Sequence, residues 1–330
     1  MAGVEPDRAL VEVGVEPTGA DGDLVHVAEV STAMGGQFAI HVATTPERAD
    51  EAVADARRAA NRVRAWARIL TRHDPGSALS GLNRDPRPAV PVGPTLAAAL
   101  DWGRAVGRRT GGLVEVAMLA ERLAAENGHS ENAHASPDRP WSLGPRADGR
   151  PGGIVARRPG LAFDLDGVGK GWLADRALRL LDRHPGALVD GDGDLAIRVA
   201  PGDRWEVGVA DPRATGDYLA VFVLDAAGPG ARSTFGLATS GTSVHRWERA
   251  GTVGHHLIDP RTGRPAQTDV IQATVLAGSA AEAEAWAKCA VLLGGATGID
   301  LLDRAGVAGA VLLLADGRAV ALPRTTEWLA

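Results

Sequence analysis

From Thr45 to about Leu70, apolar residues recur at helical spacing, which predicts a long amphipathic helix. Thr45 suits its cap and Pro46 its first position. Further helices are predicted over about Pro94–Arg108, Val114–Glu126 and Lys170–Arg183. Ser279-Ala-Ala-Glu282 is a capping box, which starts another helix running to about Leu293. Short apolar runs predict strands instead. The first are Val25–Val30 and Gln37–Val42, on either side of Met34-Gly35-Gly36, and then Ala162–Leu165. Further along come Ala187–Val189, Trp205–Val209, Leu219–Leu224, Gly236–Thr239 and Ile271–Leu276. Ala308–Leu314 and Ala319–Leu322 flank Asp316-Gly317 as a hairpin. Strands and helices come in blocks rather than in strict alternation, so the expected class is α+β with largely antiparallel sheets. Residues 1–24 read as a loose leader and residues 127–153 as a loop insertion, with one folded domain over residues 25–330.

Composition narrows the function classes. A 330-residue chain with 45% hydrophobic and 23% charged residues can build a sizeable core. Its net charge of −6 offers no basic face for nucleic acid. The single cysteine, Cys289, excludes an internal disulfide and a cysteine metal cluster. The start, Met1 to Arg8, lacks a basic stretch followed by an apolar run and lacks a lipidated cysteine. No run of ~18 apolar residues occurs, so no membrane span is expected and the expected location is the cytoplasm. Lys170 and Lys288 are the only lysines; every other basic residue among the 35 Lys and Arg is arginine. A lysine kept against that background points to a place where a compact ammonium is needed.

Several segments could carry chemistry. Asp164-Leu-Asp-Gly-Val-Gly-Lys-Gly-Trp-Leu-Ala-Asp175 places Gly167, Gly169 and Gly171 at a predicted helix start. Such glycines let backbone approach a ligand closely, and the helix start offers N–H groups to an anion. Lys170 adds positive charge there, and Asp175 could accept hydrogen bonds from a base or ribose. In Gly254–Pro265, the Asp259-Pro-Arg-Thr-Gly263 turn follows His255-His256, and histidine is the usual base near neutral pH. Glu284 and Lys288 lie four apart in an apolar helix, so a charged pair there needs a reason. Asp190-Gly-Asp-Gly-Asp194 suggests a calcium loop. It lacks the distal glutamate of such loops and reads better as a tight strand–turn–strand.

Together and in this order, these segments resemble the ApbE family of flavin transferases. Asp164–Asp175 resembles the family's Asp-Leu-Gly-Gly-Ile-Ala-Lys-Gly-x-x-x-Asp, and Val189–Asp194 its Val-Asn-x-Gly-Gly-Asp. Ala238-Thr-Ser-Gly-Thr242 and His255–Gly263 are similar to its Ser-Gly and His-Ile-Ile-Asp-Pro-x-Thr-Gly elements. Ala283–Gly294 is similar to its Ala-Asp-Ala-Leu-Ala-Thr-Ala helix. Met34-Gly35 and Arg72–Asn83 fit its Met-Gly and Asp-Ser-Glu-Leu-Ser-x-Leu-Asn elements. The resemblance implies a two-lobed α+β fold with FAD in a groove between the lobes and Mg²⁺ on the FAD diphosphate. It implies transfer of FMN to a Thr or Ser of a partner flavoprotein, with release of AMP. Carried over, Met34, Gly35 and His73 flank the nucleotide, and Gly167, Gly169, Lys170 and Gly171 cradle its phosphates. Asp175 binds FAD. His256 is the candidate base, with Lys170 and Asp259 completing the catalytic set and Thr262 shaping the loop. Other readings of the same resemblance are a flavin carrier or sensor, an FAD pyrophosphatase, and a transferase acting on a small molecule.

The departures from the pattern matter. Where the family's metal helix has Asp and Thr four apart, both on Mg²⁺, this chain has Glu284 and Lys288. An ammonium cannot ligate a cation. Either Lys288 pairs with Glu284 and replaces the ion's charge at the diphosphate, or the metal site has moved or been lost. The retained lysine favours the first. His73 stands for a stacking aromatic, and Asp190, Asp192, Glu115 and Ala117 for Asn, Gly, Asp and Thr.

Overall fold

The computed structural model describes residues 11–14, 24–127, 139–214, 216–226, 233–243, 246–249 and 252–330. An eight-stranded antiparallel sheet forms its centre. In spatial order its strands are Ala319–Ala321, Gly309–Leu314, Val270–Ala277, Ser233–Gly241, Asp194–Val199, Gly186–Gly191, Gly36–Thr44 and Val25–Ala33. Three helices cover one face: α1 (Ala49–Leu70) lies on the strands Val25–Ala33 and Gly36–Thr44. In chain order after α1, the described residues form α2 (Ala78–Arg84), α3 (Pro94–Arg109), α4 (Leu119–Glu126) and α5 (Gly169–Arg179). The last two are α6 (Ala280–Leu293) and α7 (Gly295–Ala305). Of these, α5 lies on Gly186–Gly191 and Asp194–Val199, and α6 on Ser233–Gly241 and Val270–Ala277.

The other face of the sheet carries a three-stranded sheet of Val11–Gly14, Arg204–Ala210 and Tyr218–Asp225. Side chains alternate between the two layers, as the pleat requires. Ala196 packs among the helices, while Leu195, Ile197 and Val199 meet Trp205, Val207 and Phe222 of the second sheet. The strand Asp194–Val199 is therefore buried at every position. Phe38, Ile40, Leu70, Leu100 and Leu173 are fully buried in the helical layer. Each such burial contributes about 1.5–3 kcal/mol.

Most predicted elements are present, so the α+β class with mainly antiparallel sheets holds. Several expectations need correction. Ala162–Leu165 is not a strand: its backbone bonds singly to neighbours, with Asp164 N–H on Val116 O and Phe163 N–H on Asn83 Oδ1. The helix predicted from Val114 begins only at Leu119, because Val114 and Val116 pack across α3. The leader is not wholly loose, since Val11–Gly14 pairs with Arg204–Ala210; its other residues before 24 lie outside the described residues. Within the predicted insertion, Trp141–Gly144 is a strand. It pairs with Gly153–Arg157, which also pairs with Ala89–Val92. Residues 128–138 lie outside the described residues. Among the described residues no helix is long and apolar enough to cross a membrane.

Candidate active site

The glycine turn lies where α5 meets α6. Asp166, Gly167 and Val168 form the turn and α5 starts at Gly169. The first N–H groups of a helix have no acceptor within it. Gly171 gives its N–H to Glu284 Oε2 at 3.1 Å. The N–H groups of Gly169 and Lys170 supply the anion-attracting end of α5. Lys288 Nζ donates to Gly167 O at 2.5 Å. Glu284 and Lys288, one turn apart on α6, thus hold the two ends of the glycine turn. The expected direct pairing of these two side chains is replaced by this two-point clamp.

The protein's own atoms crowd all three glycines, and at Gly171 the neighbour is backbone that cannot rotate away. A Cβ on Gly167 would lie 1.7 Å from Lys288 Nζ, and one on Gly171 would lie 2.6 Å from Ala280 O. On Gly169 it would meet the Met34 Cε methyl at 3.1 Å. Met34 reaches that position from the tip of the first hairpin. There Met34 and Gly35 take φ of 53° and 80°, the left-handed pair of a two-residue turn.

Carboxylates surround the turn on two sides. On one, Lys170 Nζ bonds Asp192 Oδ2 at 2.5 Å, and Asp190, Asp194 and Glu284 lie within the same field. Asp192 and Gly193 have φ of 61° and 94° and close a tight hairpin, as the strand–turn–strand reading expected. Burial raises the pKa of Asp194, with the charge of Glu284 adding to it. Burial also raises Glu284 to about 7, opposed by Lys288, and lowers Lys288, opposed by Glu284. Asp190 is pushed up to about 6 by burial, against the bond from Gly193 N–H.

Asp190 gives a pH prediction. Because the folded chain holds this proton more tightly than the unfolded chain, the stabilisation is complete below about pH 4 and is lost as pH rises through 6. Asp190→Asn keeps an acceptor for Gly193 N–H but does not titrate. Relative to that variant, the native chain should lose about 2–3 kcal/mol of stability between pH 4 and 7. Urea denaturation of both at the two pH values measures this; a constant difference contradicts it.

On the other side, Arg72 is nearly buried and binds three carboxylates: Glu126 at 2.7 Å, Asp166 at 2.9 Å and Asp164 at 3.6 Å. His73 Nε2 lies 3.4 Å from the same Asp166 oxygen, and that contact raises the pKa of His73. Burial works to raise Asp166, but the His73 bond and the Arg72 charge outweigh it and hold the group low. Burial and the charge of Asp166 raise Asp164. Glu126 also takes Arg122 Nε at 2.6 Å, and Arg122 Nη1 donates to the carbonyl of His256 at 2.7 Å. Asp166, Arg72, Glu126, Arg122 and the His256 backbone therefore form one polar chain. It ties the His256 loop to the glycine turn.

The His256 loop is also fixed from its far side. Asp259 accepts the Arg261 N–H at 2.8 Å and the Nε and Nη2 donors of its guanidinium, and Arg261 Nη2 also reaches Leu292 O on α6 at 3.0 Å. The same Asp-Pro-Arg geometry recurs at Asp85 and Asp211, far from the motif segments in sequence. The turn is thus a recurring folding device, and at Asp259 it fixes the path of the loop. Thr262 N–H bonds Asp259 O at 3.1 Å, and its Oγ1 accepts the Arg264 N–H at 3.2 Å. His255 is structural as well: Nε2 bonds Ala266 O at 2.9 Å, and burial lowers its pKa. Asp175 accepts the N–H groups of Ala280 and Ala281 at 2.9 and 3.1 Å. It therefore caps the start of α6 with both oxygens.

A divalent ion at the Glu284 and Lys288 positions does not fit these residues. Glu284 Oε2 is taken by Gly171, and the second position holds an ammonium bonded to Gly167 O. Among the described residues, no three His, Cys, Asp or Glu side chains form a set able to hold a metal ion. The sequence reading missed Arg122 and Glu126, and gave Arg72 no role. Their only signal was a basic–acidic pair four apart on a predicted helix, which is common on solvated faces.

Comparison with known proteins identifies the fold and its lineage. Residues 34–312 match the model of the ApbE family. The FAD:protein FMN transferase of Treponema pallidum is 31% identical over 253 residues, covering 68% of this chain and 67% of that protein. The FAD:protein FMN transferase of Salmonella typhimurium is 33% identical over 154 residues, which is 46% of this chain and 42% of that one. In three dimensions, the ApbE protein of Thermotoga maritima superposes with a TM-score of 0.73. That alignment covers 93% of this chain and 100% of the other at 20% identity, a likeness of fold. With the family pattern matched over residues 34–312 and the transferase of Treponema pallidum 31% identical over 68% of the chain, this chain belongs to the ApbE family.

Proposed function

We propose that the chain transfers FMN from FAD to a Ser or Thr hydroxyl of a partner protein and releases AMP. In this reaction the acceptor oxygen attacks the FMN phosphorus. A new P–O bond forms, the diphosphate bond to AMP breaks, and the acceptor's proton passes to His256. Phosphoryl transfer depends on positioning and on charge placed at the phosphates. The anion-attracting end of α5, Lys170 and Lys288 supply that charge. Met34, Gly35 and His73 border the same turn from two sides and are suited to contact the nucleotide. Neutral imidazole can take an alcohol proton near pH 7. Asp259 and Thr262 act by holding the loop. No step is routed through a metal ion.

The single observation that carries this reading is the polar chain from Asp166 through Arg72, Glu126 and Arg122 to the His256 carbonyl. It holds the candidate base and the candidate phosphate cradle in one rigid unit. The test is incubation of the full chain with FAD, with and without an acceptor protein bearing a Ser/Thr flavinylation segment. AMP should appear only with the acceptor, in equal amount to FMN-bearing acceptor found by mass spectrometry. AMP released without acceptor would contradict transfer in favour of hydrolysis, and no AMP in either case would favour a carrier.

A further inference from the structure

The chain's two lysine ammonium groups converge on one carboxylate. Lys170 and Lys288 are the sole lysines, and both act electrostatically on the buried Glu284. Lys170 is engaged by Asp192. Lys288 makes one hydrogen bond, to Gly167 O, and keeps a partly exposed face. An ammonium has three donors, so two remain for a ligand. Its nitrogen lies 1.7 Å from where a Gly167 Cβ would stand, flush with the turn that leads into α5. Arginine could not take this place, because a planar guanidinium is too wide for a contact of that kind.

We infer that Lys288 is a resident cation for a diphosphate ligand, covalently supplied by the chain, and that the site binds its diphosphate without any divalent ion. Glu284 keeps the ammonium's neighbourhood neutral when no ligand is bound and holds Gly171 in line. Lys288 donates its remaining N–H groups to phosphate oxygens, beside the N–H groups of Gly169 and Lys170. The inference deepens the flavin-transfer reading of the same turn and rests on it for the identity of the ligand, though not for its diphosphate chemistry.

The test uses the full chain in excess EDTA and, in parallel, in Mg²⁺, titrated with FAD and separately with inorganic diphosphate. Wild-type affinity should differ by less than about threefold between the two buffers. Lys288→Met should weaken both ligands roughly tenfold or more in EDTA, as expected for a lost charge-assisted hydrogen bond. Wild-type binding that appears only with Mg²⁺ would overturn the inference, as would unchanged affinity in Lys288→Met. A second measurement needs no variant. With only two lysines, acylation of Lys288 can be followed directly by mass spectrometry. Saturating diphosphate or FAD in EDTA should slow it roughly tenfold, and an unaltered rate would overturn the inference. Diphosphate binding and protection without FAD binding would leave Lys288 as the anchor and remove the flavin reading. FAD binding and turnover without protection would do the reverse.

Discussion

Replacing His256 with alanine is expected to lower FMN transfer to the acceptor by roughly 10²–10⁴-fold, the range supplied by a positioned base. The affinity for FAD should change by no more than about threefold, because the interaction removed is made in the transition state. The fold should persist. What fixes this loop is the His256 carbonyl on Arg122, the Arg261 bond to Leu292 O, and His255 on Ala266 O. None of these uses the His256 imidazole. Comparing acceptor flavinylation rates with FAD affinities in both proteins measures the effect. Loss of FAD affinity in step with the rate would assign His256 to ligand binding instead.

Gly236→Ala should produce the largest loss of stability. Gly236 sits in the central sheet, and a Cβ there would lie 1.9 Å from the Ser279 carbonyl carbon and 2.1 Å from Ala280 N. Both are backbone atoms at the start of α6, so no side-chain rotation can make room. The helix start would have to move off the sheet. It would disturb the Ser279 cap on Glu282 N–H and the Asp175 bonds to Ala280 and Ala281. A cost of about 3 kcal/mol or more follows from overpacking of this kind. Urea denaturation should show a lower midpoint with an unchanged slope. Gly81→Ala is the control: it lies in α2 with nothing within 4 Å of the added carbon. It should be neutral or slightly stabilising, since alanine favours helix by about 1 kcal/mol.

Local signals explain what could be read from the sequence. The long helix α1 announces itself by spacing, but the expected Thr45 cap is not formed: Thr45-Pro46 opens a 3-10 turn, Pro46–Arg48, and α1 starts only at Ala49. The helix α6 announces itself by its capping box, which the Ser279 bond to Glu282 N–H realises. Val114–Met118 carries apolar residues at helical spacing, yet glycines on α3 decide its path. A Cβ on Gly103 would meet Val116 at 2.7 Å, so the segment lies flat against the helix there. Nothing in residues 114–118 alone could reveal that. Asp175 illustrates the limit for single residues: its place in a motif suggested a nucleotide contact, while its position above α6 makes it a helix cap. Glu284 and Lys288 were legible as an oddity, two charges in an apolar helix. Their partners, Gly171 N–H and Gly167 O, lie more than a hundred residues away and required the fold.

The most direct test of the whole account is diffraction from crystals of the full chain grown with FAD. The account predicts the diphosphate against the turn at residues 167–171, bonded to Lys288 Nζ, with the FMN phosphorus on the side facing His256. Flavin density that lies away from that turn, or a diphosphate separated from His256 by the α6 clamp, would contradict it.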